Sequence, residues 1–268
     1  MRNDDRLSFA GGRQLVRELR GLGDVTAPSS LLGTVLTRVG LSDGYWQLDT
    51  PIGRVYVAYN TAGISAVMIA GDDEAFERDF QSRFHRPVHA VGRPPASLVR
   101  QVSEQLLGGK RRHLRYDLRG LTEFERAVLT KALEIPRGEV RPYAWIAREI
   151  GHPRAVRAVG SALANNPIPL LIPCHRVVRS DGSIGNYALG AAVKRVVLMG
   201  EGVEIETLEQ LAEAGVRYYG SDSTRTYCFP TCRHARRVTD RHRVAFGSEA
   251  EAAASGYRPC KVCRPTAV

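Results

Sequence analysis

The final 52 residues, from Arg217 onward, cannot fold on apolar burial alone. They carry ten Lys and Arg against four Asp and Glu, with few aliphatic side chains. A segment this polar needs another source of folding energy. It holds four of the chain's five cysteines. Cys228 and Cys232 form a C-x3-C pair in "YCFPTC", and Cys260 and Cys263 form a C-x2-C pair in "RPCKVC". Four soft sulfurs in two close pairs are the ligand set of a tetrahedral zinc site, and metal binding then supplies the missing stability. The "PCKVC" half also fits a zinc deaminase signature. That chemistry requires an H-x-E partner, and none of the seven histidines is followed by x-E.

Disulfides would need an oxidising compartment. The opening "MRNDDRLSFAGGRQ" has no apolar signal region, and no run approaches the ~18 apolar residues of a membrane span. We therefore expect a cytoplasmic protein with reduced thiols, bound zinc and no membrane partner. The net charge of +10 points to a polyanionic partner, most simply nucleic acid. The last 52 residues contribute +6 of it.

The remainder reads as α+β. Residues 1–44 form a basic lead with two candidate helices, "GRQLVRELRGLG" and "SSLLGTVLTRVG", of no assigned role. Residues 45–118 read as a small strand-rich domain. "YWQLDT", "GRVYVAYN" and "GISAVMIA" are hairpin-linked strands. The helix "DEAFERDFQSRF" sets Phe76, Phe80 and Phe84 on one face, and "PASLVRQVSEQLLGG" is a second helix. Residues 119–203 are mainly helical. Thr122 and Glu125 form a capping box at the first helix, and "PYAWIAREIGHPRAVRAVGSALANNP" has the length and glycine turn of a helix-turn-helix. Residues 204–216 read as a linking helix and 217–268 as the zinc module.

The second helix of the pair is poor in long side chains. Ala155, Ala158, Gly160 and Ser161 leave Arg157 as its one long reach. Groove readers usually display Arg, Asn or Gln. A face this small suits a narrow groove or tight helix packing.

The fifth cysteine, Cys174, stands in "NPIPLLIPCHRVV". It is either a buried small hydrophobe or a nucleophile with His175 beside it. Neighbours on a strand point to opposite faces, so His175 is expected to act through water or after a sharp turn. Together "RGEVRPYAWIAREIGHPRAVRAVGSALANNPIPLLIPCHRVVRSDGSIGNY" resembles the O6-alkylguanine-DNA alkyltransferases, the DNA-protein cysteine methyltransferases, over residues 45–201. The resemblance implies a stoichiometric methyltransferase acting on double-stranded DNA that carries alkylated guanine. The base is flipped out, and Cys174 takes the alkyl group. His175 acts through water, oriented by Glu201, and Tyr143 supplies a proton to the leaving guanine. Asn166 aims the cysteine loop, and Arg157 fills the base stack. Val177, Gly185, Asn186 and Tyr187 line the guanine pocket. Ala188 and Leu189 depart from the family pattern, which commonly has a hydroxyl residue or a wider side chain there.

The tail resembles the zinc domain of Ada-type methylphosphotriester repair proteins. That resemblance implies Cys228 as a second methyl acceptor. Its arginines, Arg225, Arg233, Arg236, Arg237, Arg241 and Arg243, also suit plain phosphate binding. The expected product is a monomeric, two-module repair protein whose modules act independently. The alternative is a lesion-binding or alkylation-response regulator without turnover.

Overall fold

The computed structural model describes residues 29–108 and 114–265. The expected helix near residues 12–23 lies outside them. The second helix of the lead is α1, Ser29–Arg38. The three expected strands form β1 (Asp43–Thr50), β2 (Gly53–Asn60) and β3 (Gly63–Met68). They run antiparallel, and β4 (Val88–Ala90) adds in parallel to β1, giving the order β3-β2-β1-β4.

Alternation along these strands buries both faces of the sheet. Tyr45, Tyr56, Ala58 and Ala66 pack on Phe76 and Phe80 of α2 (Asp73–Phe84), as the four-residue spacing predicts. Trp46, Val55, Val57 and Val67 face the other way, into the core shared with the helical domain. Asp72 caps α2 by accepting from the Ala75 N–H. Helix α3 (Ala96–Leu106) follows.

In the helical domain, α4 (Glu123–Ala132) starts at the expected capping box, with both reciprocal bonds between Thr122 and Glu125 in place. The turn at Gly138 (φ +74°) leads into β5 (Arg141–Pro142), and α5 (Tyr143–Glu149) and α6 (Val156–Ala164) form the helix-turn-helix. Strand β5 pairs in parallel with β6 (Val177–Val178), placing Arg141 opposite Val177. Helices α7 (Ala191–Gly200) and α8 (Ile205–Glu213) close the domain. The segment read as a linker is thus packed: Ile205 and Leu208 are buried with Val140, Val178 and Leu198.

One expectation changes. The run before Cys174 reads as a buried strand in the sequence, but it forms turns ending in a 3-10 turn over Cys174–Arg176. Pro167, Pro169 and Pro173 remove three amide donors from any ladder, and Leu170 takes a positive φ of 72°. The run is fixed from outside instead, since the Val67 N–H in β3 donates to Pro167 O at 3.0 Å.

The tail has its own sheet, β10-β8-β7-β9, built from Tyr218–Ser221 (β7), Thr226–Cys228 (β8), Arg243–Phe246 (β9) and Arg258–Pro259 (β10). Its separate core is only Tyr227, Phe246, Ala252 and Tyr257, with Ala252 from the short helix α9 (Glu249–Ala254). Among the described residues no helix is long and apolar enough to cross a membrane.

Candidate active site and metal centre

Cys174 opens the 3-10 turn and is 4% exposed. Buried Asn166 organises the approach to it. Its Nδ2 donates to Ile172 O at 3.0 Å and to Cys174 Sγ at 3.1 Å, while its Oδ1 accepts from the Ile168 N–H at 2.9 Å. Burial pushes the Cys174 thiol pKa up, and the Asn166 amide and the Lys194 charge work against that rise. The sulfur therefore rests as a thiol and needs a base to become a nucleophile.

The turn carries the next two side chains to one carboxylate. His175 Nε2 lies 3.0 Å from Glu201 Oε1, and Arg176 is bidentate to the same group, at 2.8 Å from Nε and 2.7 Å from Nη2. Arg176 Nη1 also donates to Ile135 O at 2.7 Å. Burial alone would raise the Glu201 pKa, but the bonds from His175 and Arg176 outweigh it and hold the carboxyl at about 2. Burial lowers the His175 pKa, with Glu201 opposing, and the other ring nitrogen, Nδ1, is buried without a hydrogen-bond partner among the described residues.

Two phenols flank the sulfur. Tyr143, at the start of α5, is half-buried and has a raised pKa, through burial and then the Cys174 charge. Tyr187 is raised by the same causes, and its ring meets His175 edge-on at 6.2 Å. Val177 is buried in β6. Gly185 has φ +70°, and a Cβ there would meet Arg179 Cγ at 2.9 Å, so the loop needs glycine. Asn186 and Ala188 are exposed at the loop's rim, and Leu189 is half-buried.

The sequence reading missed two residues of this site. Arg176 is one. The other is Lys194, whose side chain is fully buried and whose Nζ donates to Val177 O and Ile184 O at 2.6 Å and to Asn186 O at 3.3 Å. It ties β6 to the Ile184–Asn186 loop with one ammonium. Burial lowers its pKa to about 8, against the opposing Cys174 charge. A signal was present: Lys194 lies four residues before buried Leu198, on the core face of α7.

The helix-turn-helix face is separate from this cluster. Val159, Ala162 and Leu163 point into the core, while Arg157, Ala158 and Ser161 are exposed and Ala155 and Gly160 are half-buried. A Cβ at Gly160 would meet nothing within 4 Å, so this face is open.

In the tail, the ligand atoms of Cys228, Cys232, Cys260 and Cys263 all lie within 4.8 Å of one another, and none is in a disulfide. Zn–S bonds of ~2.3 Å place tetrahedral sulfurs about 3.8 Å apart, so the set fits zinc. Cys228 and Cys260 line a cavity of about 420 Å³ together with Thr226, His234, Arg237 and His242. Cys232 and Cys263 are fully buried and do not line it.

Two family models match successive parts of the chain. Residues 123–203 match the family model described as 6-O-methylguanine DNA methyltransferase, DNA binding domain, and residues 209–266 match the metal binding domain of Ada. The chain is 37% identical over 163 residues to the bifunctional transcriptional activator/DNA repair enzyme Ada of Escherichia coli, covering 59% of this chain and 45% of that protein. It is 34% identical to the methylated-DNA–protein-cysteine methyltransferase of Methanosarcina acetivorans, covering 55% of this chain and 99% of the relative. The crystal structure of Mycobacterium tuberculosis OGT in complex with DNA aligns with a TM-score of 0.50 at 31% identity, covering 62% of this chain and 99% of that one. The chain spans about half the length of the first curated relatives it matches.

Proposed function

Since the chain belongs to the methylated-DNA–protein-cysteine methyltransferase family, we propose that it repairs double-stranded DNA by moving an alkyl group from guanine O6 onto Cys174, once per molecule. The observation that carries this reading is the buried Cys174 thiol, held by Asn166 and followed in one turn by a His175–Glu201 pair. A buried thiol with a raised pKa is inert until a base takes its proton. His175 Nδ1, free of partners among the described residues, is the atom to do so through a water, with Glu201 stabilising the resulting imidazolium.

The step balances simply. Cys174 Sγ attacks the alkyl carbon, the carbon–O6 bond breaks, and its electron pair stays on the guanine ring. Tyr143, protonated at neutral pH, donates to that ring. The thioether is permanent. The flipped base occupies a pocket of Val177, Gly185, Asn186, Tyr187, Ala188 and Leu189, whose backbone Lys194 anchors. The small outer face of α6 enters a narrow groove, and Arg157 fills the vacated base stack.

The division at 45–118, 119–203, 204–216 and 217–268 follows the same assignment, with a monomeric, cytoplasmic protein as its setting. For the tail, zinc held by the four cysteines keeps their sulfurs as thiolates at neutral pH. We assign Cys228 as a second acceptor, for methyl groups on backbone phosphotriesters. A cavity lined by Cys228 together with Arg237, His234 and His242 favours this over phosphate binding alone.

Peptide mass spectrometry tests both assignments, after mixing the protein with DNA carrying O6-methylguanine or a methylphosphotriester. Methyl on Cys174 from the first establishes guanine repair. A Cys174→Ser protein that still clears the lesion would refute it, and an intact protein that binds without transfer is a lesion binder or regulator. Methyl on Cys228 from the second makes this a two-lesion protein.

A further inference from the structure

The zinc module is seated on the helix-turn-helix domain by the same loops that carry its ligands. Between Cys228 and Cys232, Thr231 Oγ1 accepts from the Val140 N–H at 3.0 Å, and the Phe229 ring lies 5.2 Å from the Arg141 guanidinium. Just past Cys232, the Arg233 N–H donates to Glu139 Oε1 at 3.0 Å, while the other Glu139 oxygen pairs with Arg141. The Glu139 and Arg141 side chains are each 2% exposed. At the second ligand pair, Cys263 O accepts from Trp145 Nε1 at 3.0 Å. Arg264 pairs with Glu149 at 2.7 Å, with its guanidinium 5.9 Å from the Trp145 ring.

What these loops grip leads directly to the guanine-transfer site. Arg141 stands opposite Val177 in the β5–β6 pair, three residues after Cys174. Pro142 is the N-cap of the helix that begins at Tyr143. On the far side, a Cβ on Gly138 would lie 2.9 Å from Glu201 O and 3.6 Å from Arg236 Nη1 of the tail. A buried Glu–Arg pair and a buried indole N–H hold their geometry only while every partner is present. Here partners of both come from the zinc module. That module has a core too small to keep its ligand loops in shape without metal.

We propose that the zinc module is a positioning element of the guanine-transfer site, acting through Glu139, Arg141 and Trp145 on the strand beside Val177 and the helix that starts at Tyr143. The proposal rests on the reading of Cys174 as acceptor, but its first test does not. The expectation of independent modules gives way to a coupled pair.

The full-length protein is compared with zinc bound and after chelation. Hydrogen exchange should show that peptides spanning 139–149 and 177–178 lose protection together with 218–263, while the strands over 43–68 keep theirs. Transfer to Cys174 from a free O6-alkylguanine base, which needs no DNA contact, should slow at least tenfold. Trp145→Phe keeps a ring and removes the N–H. Zinc-loaded, it should slow transfer several-fold at unchanged zinc content and DNA affinity. Thr231→Val, which removes the hydroxyl facing Val140, should act in the same direction and serves if the tryptophan variant does not fold. Chelation that unprotects 218–263 alone and leaves both 139–149 and the rate unchanged overturns the proposal. If the zinc-loaded protein transfers nothing to Cys174, the reading of Cys174 fails, and the exchange data still decide the coupling.

Discussion

The Asn166 amide reaches the Cys174 sulfur across 3.1 Å while the same nitrogen holds Ile172 O and the carbonyl end receives the Ile168 N–H. One side chain therefore shapes the loop and touches the reacting atom. Asn166→Ala should destabilise the fold by about 3 kcal/mol, since it strands several buried polar groups. It should also slow single-turnover transfer more than tenfold. Asn166→Asp keeps the acceptor but sets a carboxylate beside the sulfur. That raises the thiol pKa further, so its transfer rate should recover as pH rises. Urea denaturation and quench-flow rates separate the two effects.

Glu201 links stability to acid. Its folded pKa is about 2 against an ordinary 4.5, so the charged form is favoured in the folded state. The stabilisation is complete above the unfolded value and is lost as pH falls from about 4.5 toward 2. It amounts to about 3 kcal/mol. Glu201→Gln should lose that part of the acid transition, measured by melts between pH 2 and 7. It should also leave the half-buried Arg176 without its counter-charge, lowering stability at neutral pH.

Lys194→Met retains the length of the side chain and removes an ammonium that three carbonyls share. The expected loss is about 1–3 kcal/mol, with transfer more than tenfold slower because the Ile184–Asn186 loop is no longer tied to β6. Loss of activity with an unchanged melting curve would mean that Lys194 acts on the sulfur rather than on the loop.

Gly160→Ala separates folding from DNA binding. Within the protein the added methyl meets nothing, and alanine favours a helix over glycine by up to about 1 kcal/mol. The variant should therefore melt at the same or a higher temperature. Its DNA affinity should fall on the order of tenfold, about 1.4 kcal/mol, because the helix can no longer lie as close to the groove. Calorimetry and a binding titration at fixed salt test the pair.

The parts of this protein that were legible in the sequence are those with a short period or spacing. The phenylalanines of α2, the Thr122–Glu125 box, the helix pair around "GHP" and the two cysteine pairs all depend on residues within a few positions of one another. Cys174, His175, Tyr143 and Asn166 stand in one dense motif, Glu201 is implied only by the family resemblance, and the structure brings all five to one place. What stayed hidden depends on distance along the chain or on a misleading local pattern. Trp145 and Cys263 meet across 118 positions, with no periodicity to announce it. Lys194 looks like a solvated charge until the face of α7 is counted. The "NPIPLLIP" run has the hydropathy of a strand, but its prolines deny it the hydrogen bonds of one.

The four zinc sulfurs divide into an outer and an inner pair. Cys228 and Cys260 open on a cavity, while Cys232 and Cys263 are fully buried and do not line it. Metal exchange in this module is therefore one-sided. A chelator, oxidant or carrier thiol entering by that cavity would meet Cys228 and Cys260 before the two cysteines that do not line it. A substrate seated in that cavity would therefore cover the same two sulfurs that an exchanging ligand has to reach.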